Sequence, residues 1–293
     1  MAESDHVPRM IDETVEEIEE MQTHSSSVVA IKAARALTSL ADESFPSVDE
    51  YLRSLERNSR ALRRANPSHA SLQNTQREVL RTVEGTDPSS VADAKRCTEE
   101  AVDAMVDRID AAKSRAAENA VELLEDGTTI LTHDYSSTVL ETIYHAVSDG
   151  IELTVYVTEA RPRYLGRKTA RTLAEVRGVE THLVVDGAAG HFLPEVDRVL
   201  LGMTCIVGET LYNRVGTYPI AATAADLDVP VTVVGSGAKI IEDGFAFENE
   251  LRSPSEVMRE PADGFAVENP AYDATPRSLL DGVVTDEGHR TCE

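Results

Sequence analysis

The chain has 293 residues, long enough for two domains, and 41% of them are hydrophobic, which predicts a packed core rather than a disordered chain. Its formal net charge of −24 argues against nonspecific binding to nucleic acid and against docking on anionic membranes, because both need clustered lysine and arginine. Few of the 28 basic residues are lysine and 52 residues are acidic, a balance that indicates a protein adapted to high salt.

Cysteine usage predicts neither a disulfide framework nor a metal site. Cys97, Cys205 and Cys292 are an odd number of cysteines without the spacing of metal ligands, which is typical of reduced thiols. The first residues lack the basic region and apolar run of a signal peptide, and no segment approaches the roughly 18 consecutive apolar residues of a membrane span. We therefore expect a cytoplasmic protein that uses no cofactor.

The first part of the chain is predicted to be helical. Ile11, Val15 and Ile18 recur at helical spacing, and similar apolar patterns follow along the chain. Pro67 suits the first turn of a further helix. A long helix is predicted to begin after the Asp-Pro-Ser-Ser segment at residues 87–90 and to end near Leu124. These patterns define a helical N-terminal domain, residues 1–127.

From residue 128 onward, short β-branched runs alternate with helical segments. The predicted strands are residues 129–132, 153–157, 182–185, 198–201 and 231–234, and the predicted helices are residues 137–148, 167–176 and 215–226. Alternating strands and helices predict a doubly wound parallel sheet that is covered on both faces. The predicted fold class is therefore α/β, with the helical domain followed by a Rossmann-like domain of residues 128–293. Residues 242–270 are predicted to be a loop.

Three motifs lie at predicted strand ends, where an open parallel sheet binds its ligands. The first motif is residues 130–136 (Ile-Leu-Thr-His-Asp-Tyr-Ser), in which His133 and Asp134 follow the strand and Ser136 can cap the next helix. We expect His133 and Asp134 to form the floor of a ligand pocket. An ionised Asp134 only accepts hydrogen bonds, so it would bind sugar hydroxyls and repel phosphate. The alternative is a strand end followed by a helix cap.

The second motif is residues 158–166 (Thr-Glu-Ala-Arg-Pro-Arg-Tyr-Leu-Gly), between a predicted strand and a predicted helix. Arg161, Arg163 and the nearby Arg167 bring three guanidinium groups to one connection. In so acidic a chain this cluster predicts an anion site, because guanidinium groups bind phosphate and carboxylate through paired hydrogen bonds. The alternative is a set of surface ion pairs with the many carboxylates.

The third motif is residues 200–206 (Leu-Leu-Gly-Met-Thr-Cys-Ile), which begins in a predicted strand. Thr204 is expected to face the ligand pocket. In an extended backbone Cys205 points away from its neighbour Thr204, which indicates a packed thiol rather than a reactive one.

A polar loop follows the third motif at residues 212–217 (Tyr-Asn-Arg-Val-Gly-Thr). Asn213 and Arg214 precede a predicted helix, so Arg214 and the N–H groups of the helix start are expected to hold a second anion. The alternative is an ordinary helix start with no ligand.

In this order the motifs resemble the family that holds the α, β and δ subunits of eukaryotic translation initiation factor 2B. The same family holds the aldose–ketose isomerases of methylthioribose 1-phosphate and ribose 1,5-bisphosphate. Residues 64–74 resemble its N-terminal segment, and residues 269–276 (Asn-Pro-Ala-Tyr-Asp-Ala-Thr-Pro) with 286–288 (Asp-Glu-Gly) resemble its C-terminal signature. The resemblance implies a helical domain, a doubly wound α/β domain, and assembly as homodimers or higher oligomers.

The resemblance also implies a sugar phosphate bound between the two domains. The family's Arg-Pro motif and its Asn-Lys-x-Gly-Thr loop serve the phosphate or sugar. Arg161 and Asn213 match these positions, and Arg214 replaces the lysine while keeping its charge. The resemblance thus gives His133, Asp134, Thr204 and the arginines a common pocket.

The chain departs from the family's isomerases at two positions. Isomerases typically carry cysteine and aspartate where this chain has Asp134 and Thr204. A sugar with phosphate on its anomeric oxygen cannot open its ring freely, so isomerisation needs two proton-handling groups. Threonine does not titrate near neutral pH, and a carboxylate is not a thiolate. The resemblance therefore implies no catalytic residue, and a non-catalytic regulatory protein like an initiation factor 2B subunit that binds a phosphorylated sugar or nucleotide.

Two alternatives stay open at this point. The first alternative to the regulatory protein is an isomerase with an altered site, in which Asp134 acts as acid or base. The second is a structural subunit with a vestigial pocket. Ligand binding separates the structural subunit from the other two hypotheses, and turnover separates the isomerase from both. Translation initiation factor subunits are further candidate partners under the resemblance. Arg161→Ala is expected to abolish anion binding without unfolding the protein.

Overall fold

The structure is a computed structural model that describes residues 9–20, 25–241, 247–261 and 263–292. The chain divides into two compact units between Ala111 and Ala112. This division lies inside a long helix, whereas the division at residue 127 stays a prediction. In the described ranges, no helix is both long and apolar enough to cross a membrane.

The first unit is built from helices. Its helices are α1 (Arg9–Glu19), α2 (Ser26–Ala36), α3 (Val48–Ala65), α4 (Ala70–Gly85) and α5 (Val91–Val121), the last of which contains the division. Tyr51, Leu55 and Leu62 recur at helical spacing on α3 and are fully buried. The hydroxyl of Ser47 caps α3 by accepting a 3.2 Å hydrogen bond from the N–H of Glu50.

The start of α4 differs from the prediction. The helix begins at Ala70, so Pro67 precedes it instead of occupying its first turn. His69 is the N-cap residue, and its Nδ1 accepts a 3.1 Å hydrogen bond from the N–H of Leu72. A side-chain acceptor for an otherwise unpaired N–H fixes where the helix starts.

The described part of the second unit contains two sheets. The strands are β1 (Thr129–His133), β2 (Leu153–Thr158), β3 (Val179–Val184), β4 (Arg198–Gly202), β5 (Cys205–Val207), β6 (Thr210–Arg214), β7 (Val231–Val234), β8 (Ile240–Ile241), β9 (Tyr272–Pro276), β10 (Gly282–Thr285) and β11 (Gly288–Thr291). The helices are α6 (Ser137–Ser148), α7 (Leu165–Leu173), α8 (Ala189–Phe192), α9 (Thr217–Asp226) and α10 (Pro254–Val257). The larger sheet has the order β11-β10-β7-β4-β1-β2-β3, and all its neighbours are parallel except β10 and β11.

Successive residues of the central strands enter separate cores on the two faces of this sheet. Ile130 and Leu200 belong to the core that α6 covers, whereas Leu131 and Leu201 belong to the core that α9 covers. Side chains alternate along a strand, so apolar runs such as these are buried on both faces. The α/β fold class with a largely parallel sheet, predicted from the sequence, is confirmed.

The smaller sheet has the order β8-β5-β6-β9 and is absent from the sequence prediction. Strand β6 pairs antiparallel with β5 and with β9, and Arg214 lies opposite Tyr272. Asn213 and Arg214 therefore belong to a strand and not to a loop before a helix. Helix α9 accordingly begins at Thr217, after the strand and a turn.

Candidate functional site

The second unit has a pocket formed by residues at or after the ends of β1, β2 and β6 and by residues from the segment 252–271. Its lining residues are Asp134, Ala160, Arg161, Pro162, Arg163, Leu165, Arg214, Val215, Arg252, Glu256, Asn269, Pro270 and Ala271. The pocket, with its mouth open to solvent, spans about 340 Å³.

His133 ends β1 and is buried, but it does not line the pocket. Its Nδ1 lies 2.6 Å from the hydroxyl of Thr158, and its Nε2 lies 2.8 Å from the carbonyl oxygen of Val215. A carbonyl oxygen only accepts, so Nε2 donates the hydrogen bond to Val215. A Cβ at Gly216 would come within 2.5 Å of the ring, so glycine is required there. His133 thus ties the ends of β1 and β2 to the residue after β6.

Asp134 lines the pocket and is 8% exposed. Its backbone is left-handed, with φ of 65°, and its carbonyl accepts a 2.7 Å hydrogen bond from the hydroxyl of Thr169. Its Oδ2 lies 3.4 Å from Nε of Arg214. The guanidinium of Arg214 lies over the ring of Tyr272, 4.9 Å from the ring centroid. Burial favours the neutral form of Arg214, but Tyr272 and Asp134 outweigh it and raise the pKa of Arg214.

Arg161 lies on the connection from β2 to α7, as the second motif predicts. The carboxylate of Asp186 holds this connection by accepting 2.7 Å hydrogen bonds from the N–H groups of Ala160 and Arg161. Arg161 is exposed, yet it lines the pocket, and its Nη2 donates a 3.0 Å hydrogen bond to the carbonyl oxygen of Val257. Its side chain is therefore directed along the rim of the pocket.

Arg163 is the second guanidinium that this connection brings to the pocket. Burial lowers the pKa of Arg163, and the neighbouring positive charges of Arg214 and Arg252 lower it further. Several cations close enough to disfavour one another form a region of positive potential, which an anion relieves.

Arg167 is placed differently from the other two arginines of the cluster. It is not among the lining residues, and its Nε and Nη2 donate hydrogen bonds of 3.1 and 2.6 Å to one carboxylate oxygen of Glu159. Its guanidinium also lies 3.8 Å from the ring centroid of Tyr164. Arg167 therefore forms an ion pair with a carboxylate of the chain, which is the alternative considered for the second motif.

The third motif contributes no residue to the pocket lining. The N–H of Thr204 donates a 3.2 Å hydrogen bond to the carbonyl of Tyr212. Cys205 is fully buried, and burial raises its pKa to about 12, as expected for a packed and unreactive thiol. Lys239 is buried nearby with its pKa lowered to about 8, and its Nζ donates a 3.0 Å hydrogen bond to the carbonyl of Met203.

The start of α9 already holds a carboxylate of the chain itself. The N–H groups of Gly216 and Tyr218 donate hydrogen bonds of 2.8 and 3.0 Å to Oδ2 of Asp273. The amide of Asn213 donates a 3.1 Å hydrogen bond to the hydroxyl of Thr217. The N–H groups predicted to hold a second anion are therefore engaged within the protein.

Sequence reasoning missed Arg252 and Glu256, which lie in the predicted loop of residues 242–270 and line the pocket. Nε and Nη2 of Arg252 donate hydrogen bonds of 2.7–3.1 Å to the carboxylate of Glu256, and Nη1 donates a 3.0 Å hydrogen bond to Glu250. Asn269, at the C-terminal signature, donates a 3.3 Å hydrogen bond to Glu256. Arginine and glutamate four residues apart in a loop were the one available signal.

The pocket differs in charge from the rest of the chain. Four arginines and two carboxylates line it, which gives a formal charge of +2 in a chain of net charge −24. Across the described ranges, no group of three or more histidine, cysteine or acidic side chains could hold a metal ion. The lining is therefore suited to an anion of a small molecule.

Comparison with known proteins identifies the family. The sequence matches the Initiation factor 2 subunit family over residues 22–292. The chain belongs to this family. Among solved structures, the translation initiation factor eIF-2B of Pyrococcus horikoshii OT3 has a TM-score of 0.82 with 25% identity, covering 97% of this chain and 98% of that chain. The family resemblance seen in the sequence motifs is confirmed.

Relatives of this Initiation factor 2 subunit family member include archaeal enzymes. A Haloterrigena turkmenica protein named ribose 1,5-bisphosphate isomerase is 33% identical over 292 residues, which cover 94% of this chain and 88% of that protein. A Haloferax volcanii protein of the same name is 32% identical over 293 residues, which cover 97% of this chain and 90% of that protein.

These relatives correct the main functional prediction. Six archaeal proteins named ribose 1,5-bisphosphate isomerase are 29–33% identical to this chain over nearly its whole length. The prediction of a non-catalytic regulator like an initiation factor 2B subunit is therefore wrong, and the isomerase alternative is favoured. The prediction rested largely on Asp134 and Thr204, which stand where the family's isomerases typically carry cysteine and aspartate. A carboxylate in a pocket also exchanges protons.

Proposed function

We propose that this family member is a sugar-phosphate isomerase that converts ribose 1,5-bisphosphate into the corresponding 2-ketose, ribulose 1,5-bisphosphate. The observation that carries the proposal is the positively charged pocket of the second unit, in which the carboxylate of Asp134 lies beside Arg214. The archaeal relatives support the substrate class.

The charge of the pocket fits a phosphate monoester. Such a group carries about 1.5 to 2 negative charges near neutral pH, so the formal charge of +2 of the lining matches one of the two phosphates of ribose 1,5-bisphosphate. Each hydrogen bond between a guanidinium and phosphate contributes roughly 1.5–3 kcal/mol. Because the chain as a whole is acidic, an anion is retained only by such short contacts.

The reaction needs anion binding and proton exchange, and no change of oxidation state of the molecule as a whole. The C1–O4 bond of the ring breaks as O4 takes up a proton, and a base then removes the proton from C2 to give an enol between C1 and C2. Return of that proton to C1 gives the ketose phosphate. The proton that O4 gains is balanced by the proton that the C2 hydroxyl loses when it becomes a ketone.

We assign the transfer of the C2 proton to Asp134. Its carboxylate lines the pocket, and the guanidinium of Arg214, 3.4 Å away, provides positive charge next to the developing enol oxygen. Thr204, which stands where the resemblance places an aspartate, lies outside the lining and has no role in this proposal.

The test is turnover of ribose 1,5-bisphosphate by the full chain, in concentrated KCl and in dilute buffer. We expect the ketose bisphosphate to form, observed as a new ketone carbon by ¹³C NMR. Methylthioribose 1-phosphate, which has no second phosphate, is the matched control substrate. Turnover of the control alone would reassign the substrate, and turnover of neither sugar would contradict the enzymatic proposal.

We further propose that the protein acts as a homodimer or a larger homo-oligomer in a salt-rich cell. The family resemblance and the acidic composition support this. Sedimentation of the full chain in concentrated KCl tests it, and a single species with the mass of a monomer would contradict it.

A further inference from the structure

We propose that the carboxylate of Glu256 competes with a ligand phosphate for the guanidinium of Arg252, and that Glu256 therefore sets the affinity of the pocket for phosphorylated ligands. The inference rests on the proposed function, because it concerns the same pocket. It adds an affinity-determining residue that neither the sequence motifs nor the names of the relatives indicate.

The contacts of Glu256 are those that a phosphate oxygen would make. Its Oε1 accepts hydrogen bonds of 2.7 and 3.0 Å from Nη2 and Nε of Arg252. Its Oε2 accepts hydrogen bonds of 3.1 Å from the same Nε and 3.3 Å from Nδ2 of Asn269. A planar guanidinium binds carboxylate and phosphate through the same pair of N–H groups, so one anion excludes the other.

The surrounding charges hold Glu256 ionised. Burial alone would raise its pKa, but the hydrogen bonds and charge of Arg252, the hydrogen bond of Asn269 and the charge of Arg163 outweigh burial and lower the pKa of Glu256. The carboxylate in turn offsets part of the positive charge that Arg214 and Arg252 exert on Arg163. Removal of the Glu256 charge would raise the formal charge of the lining from +2 to +3.

The segment that carries Glu256 buries few apolar side chains, which allows the carboxylate to exchange with a ligand. Glu256 lies on the four-residue helix α10, next to the exposed side chains of Val257 and Met258. An isolated bridge joins Leu251 to Pro270 on either side of this segment. A segment with few buried apolar side chains rearranges at small free-energy cost.

The test is the affinity of the full chain and of the variant Glu256→Gln for inorganic phosphate and for ribose 1,5-bisphosphate, measured by calorimetry. The amide keeps the size of the side chain and one acceptor for Arg252 but removes the charge. We expect the Kd for both ligands to fall about three- to tenfold.

Glu250→Gln is the matched control. Glu250 accepts a 3.0 Å hydrogen bond from the same Arg252, but it does not line the pocket, so its loss is expected to leave the Kd unchanged. Unfolding temperatures of all three proteins establish that they are folded. If Glu256→Gln does not fold, Glu256→Ala replaces it with the same expectation.

Each outcome bears on the proposal. If the parent chain binds phosphate and the Glu256 variant binds it equally or more weakly, the role of Glu256 is overturned. The proposed function then still stands. Equal tightening in both variants would also overturn it, because a general charge effect would then suffice. Failure of all three proteins to bind either ligand would overturn the pocket assignment, and both proposals with it.

Discussion

The pocket contains two arginine–carboxylate pairs that differ in how they are supported. Oδ2 of Asp134 lies 3.4 Å from Nε of Arg214, and Asp134 follows β1 of the large sheet while Arg214 belongs to β6 of the small sheet. Glu256 and Arg252 share several short hydrogen bonds, yet Glu256 lies on a four-residue helix in a loop. The Asp134 pair thus has the firmer backbone, whereas the Glu256 pair has the shorter contacts.

This difference separates two tasks. A group that transfers a proton must keep its position relative to the substrate, and strand backbone provides that better than a loop does. A group that yields its partner to a ligand must move at small cost, which a short helix in a loop permits. We expect changes at the Asp134 pair to affect turnover and changes at the Glu256 pair to affect affinity.

Asp134→Asn is the most direct way to break this comparison. The amide keeps the shape of the side chain but cannot take up the C2 proton, so turnover of ribose 1,5-bisphosphate is expected to fall by about 10²- to 10⁴-fold. The Kd for the substrate is expected to stay the same or fall, because a negative charge leaves the pocket. Steady-state kinetics and calorimetry measure both quantities. Turnover within tenfold of the parent chain would show that another group transfers the proton.

Arg161→Ala tests the rim of the pocket. Loss of one guanidinium contact is expected to weaken phosphate binding by about ten- to 150-fold, corresponding to roughly 1.5–3 kcal/mol. The unfolding temperature is expected to change little, because Arg161 is exposed.

Arg167→Ala is the comparison for Arg161→Ala. Arg167 belongs to the same cluster, but Glu159 holds its guanidinium and it lies outside the lining. Its loss is expected to weaken binding less than the loss of Arg161. Equal losses of affinity in the two variants would instead assign the anion site to the whole arginine cluster.

Tyr272 provides a test of how the guanidinium of Arg214, which lies over its ring, is held in place. A cation over an aromatic face gains about 0.5–2 kcal/mol, so Tyr272→Leu is expected to loosen Arg214 and lower kcat by about two- to thirtyfold. Tyr272→Phe keeps the ring and is expected to retain kcat. Equal kcat values of the two variants would contradict this role of the ring.

The smallest expected effect is a pH dependence of stability at Glu256. The pKa of Glu256 is lowered from its ordinary value of 4.5, so its stabilising effect is present above pH 4.5 and is lost as pH falls through the folded-state pKa. The parent chain is expected to be more stable than Glu256→Gln at pH 7 by at most about 1 kcal/mol. Denaturant unfolding at several pH values should show this difference narrowing below pH 4.5. A difference that is constant with pH would show that the Glu256 charge does not stabilise the fold.

The large sheet was predictable because its signal is local. Val231–Val234 is a continuous apolar run, which is typical of a strand buried on both faces, and the structure has a strand with the same bounds. The small sheet is only partly local: β5 and β6 form a hairpin around residues 208–209, which the prediction missed, whereas β9, which also pairs with β6, is far along the chain. No short window of sequence contains that interaction.

The site shows the same limit. Asp134, Arg161, Arg163 and Arg214 were marked by the strand ends and the charge pattern, and the pocket brings them together. His133 carried the same signal, but the fold commits both its ring nitrogens to Thr158 and Val215. Such a commitment depends on tertiary contacts. Arg252 and Glu256 reach the pocket through the path of a loop, which local propensity does not determine.

Two carboxylates outside the pocket lining hold the backbone next to two of its arginines. Asp186 holds the backbone that carries Arg161, and Asp273 holds the turn that follows Arg214. Both loops are therefore ordered when the chain folds, and a ligand meets arginines whose backbone is already fixed. The conformational entropy lost on binding is then small, since it is confined to side chains and to the Glu256 segment. Release of either loop would appear in calorimetry as a more unfavourable binding entropy, with the contacts to the phosphate unchanged.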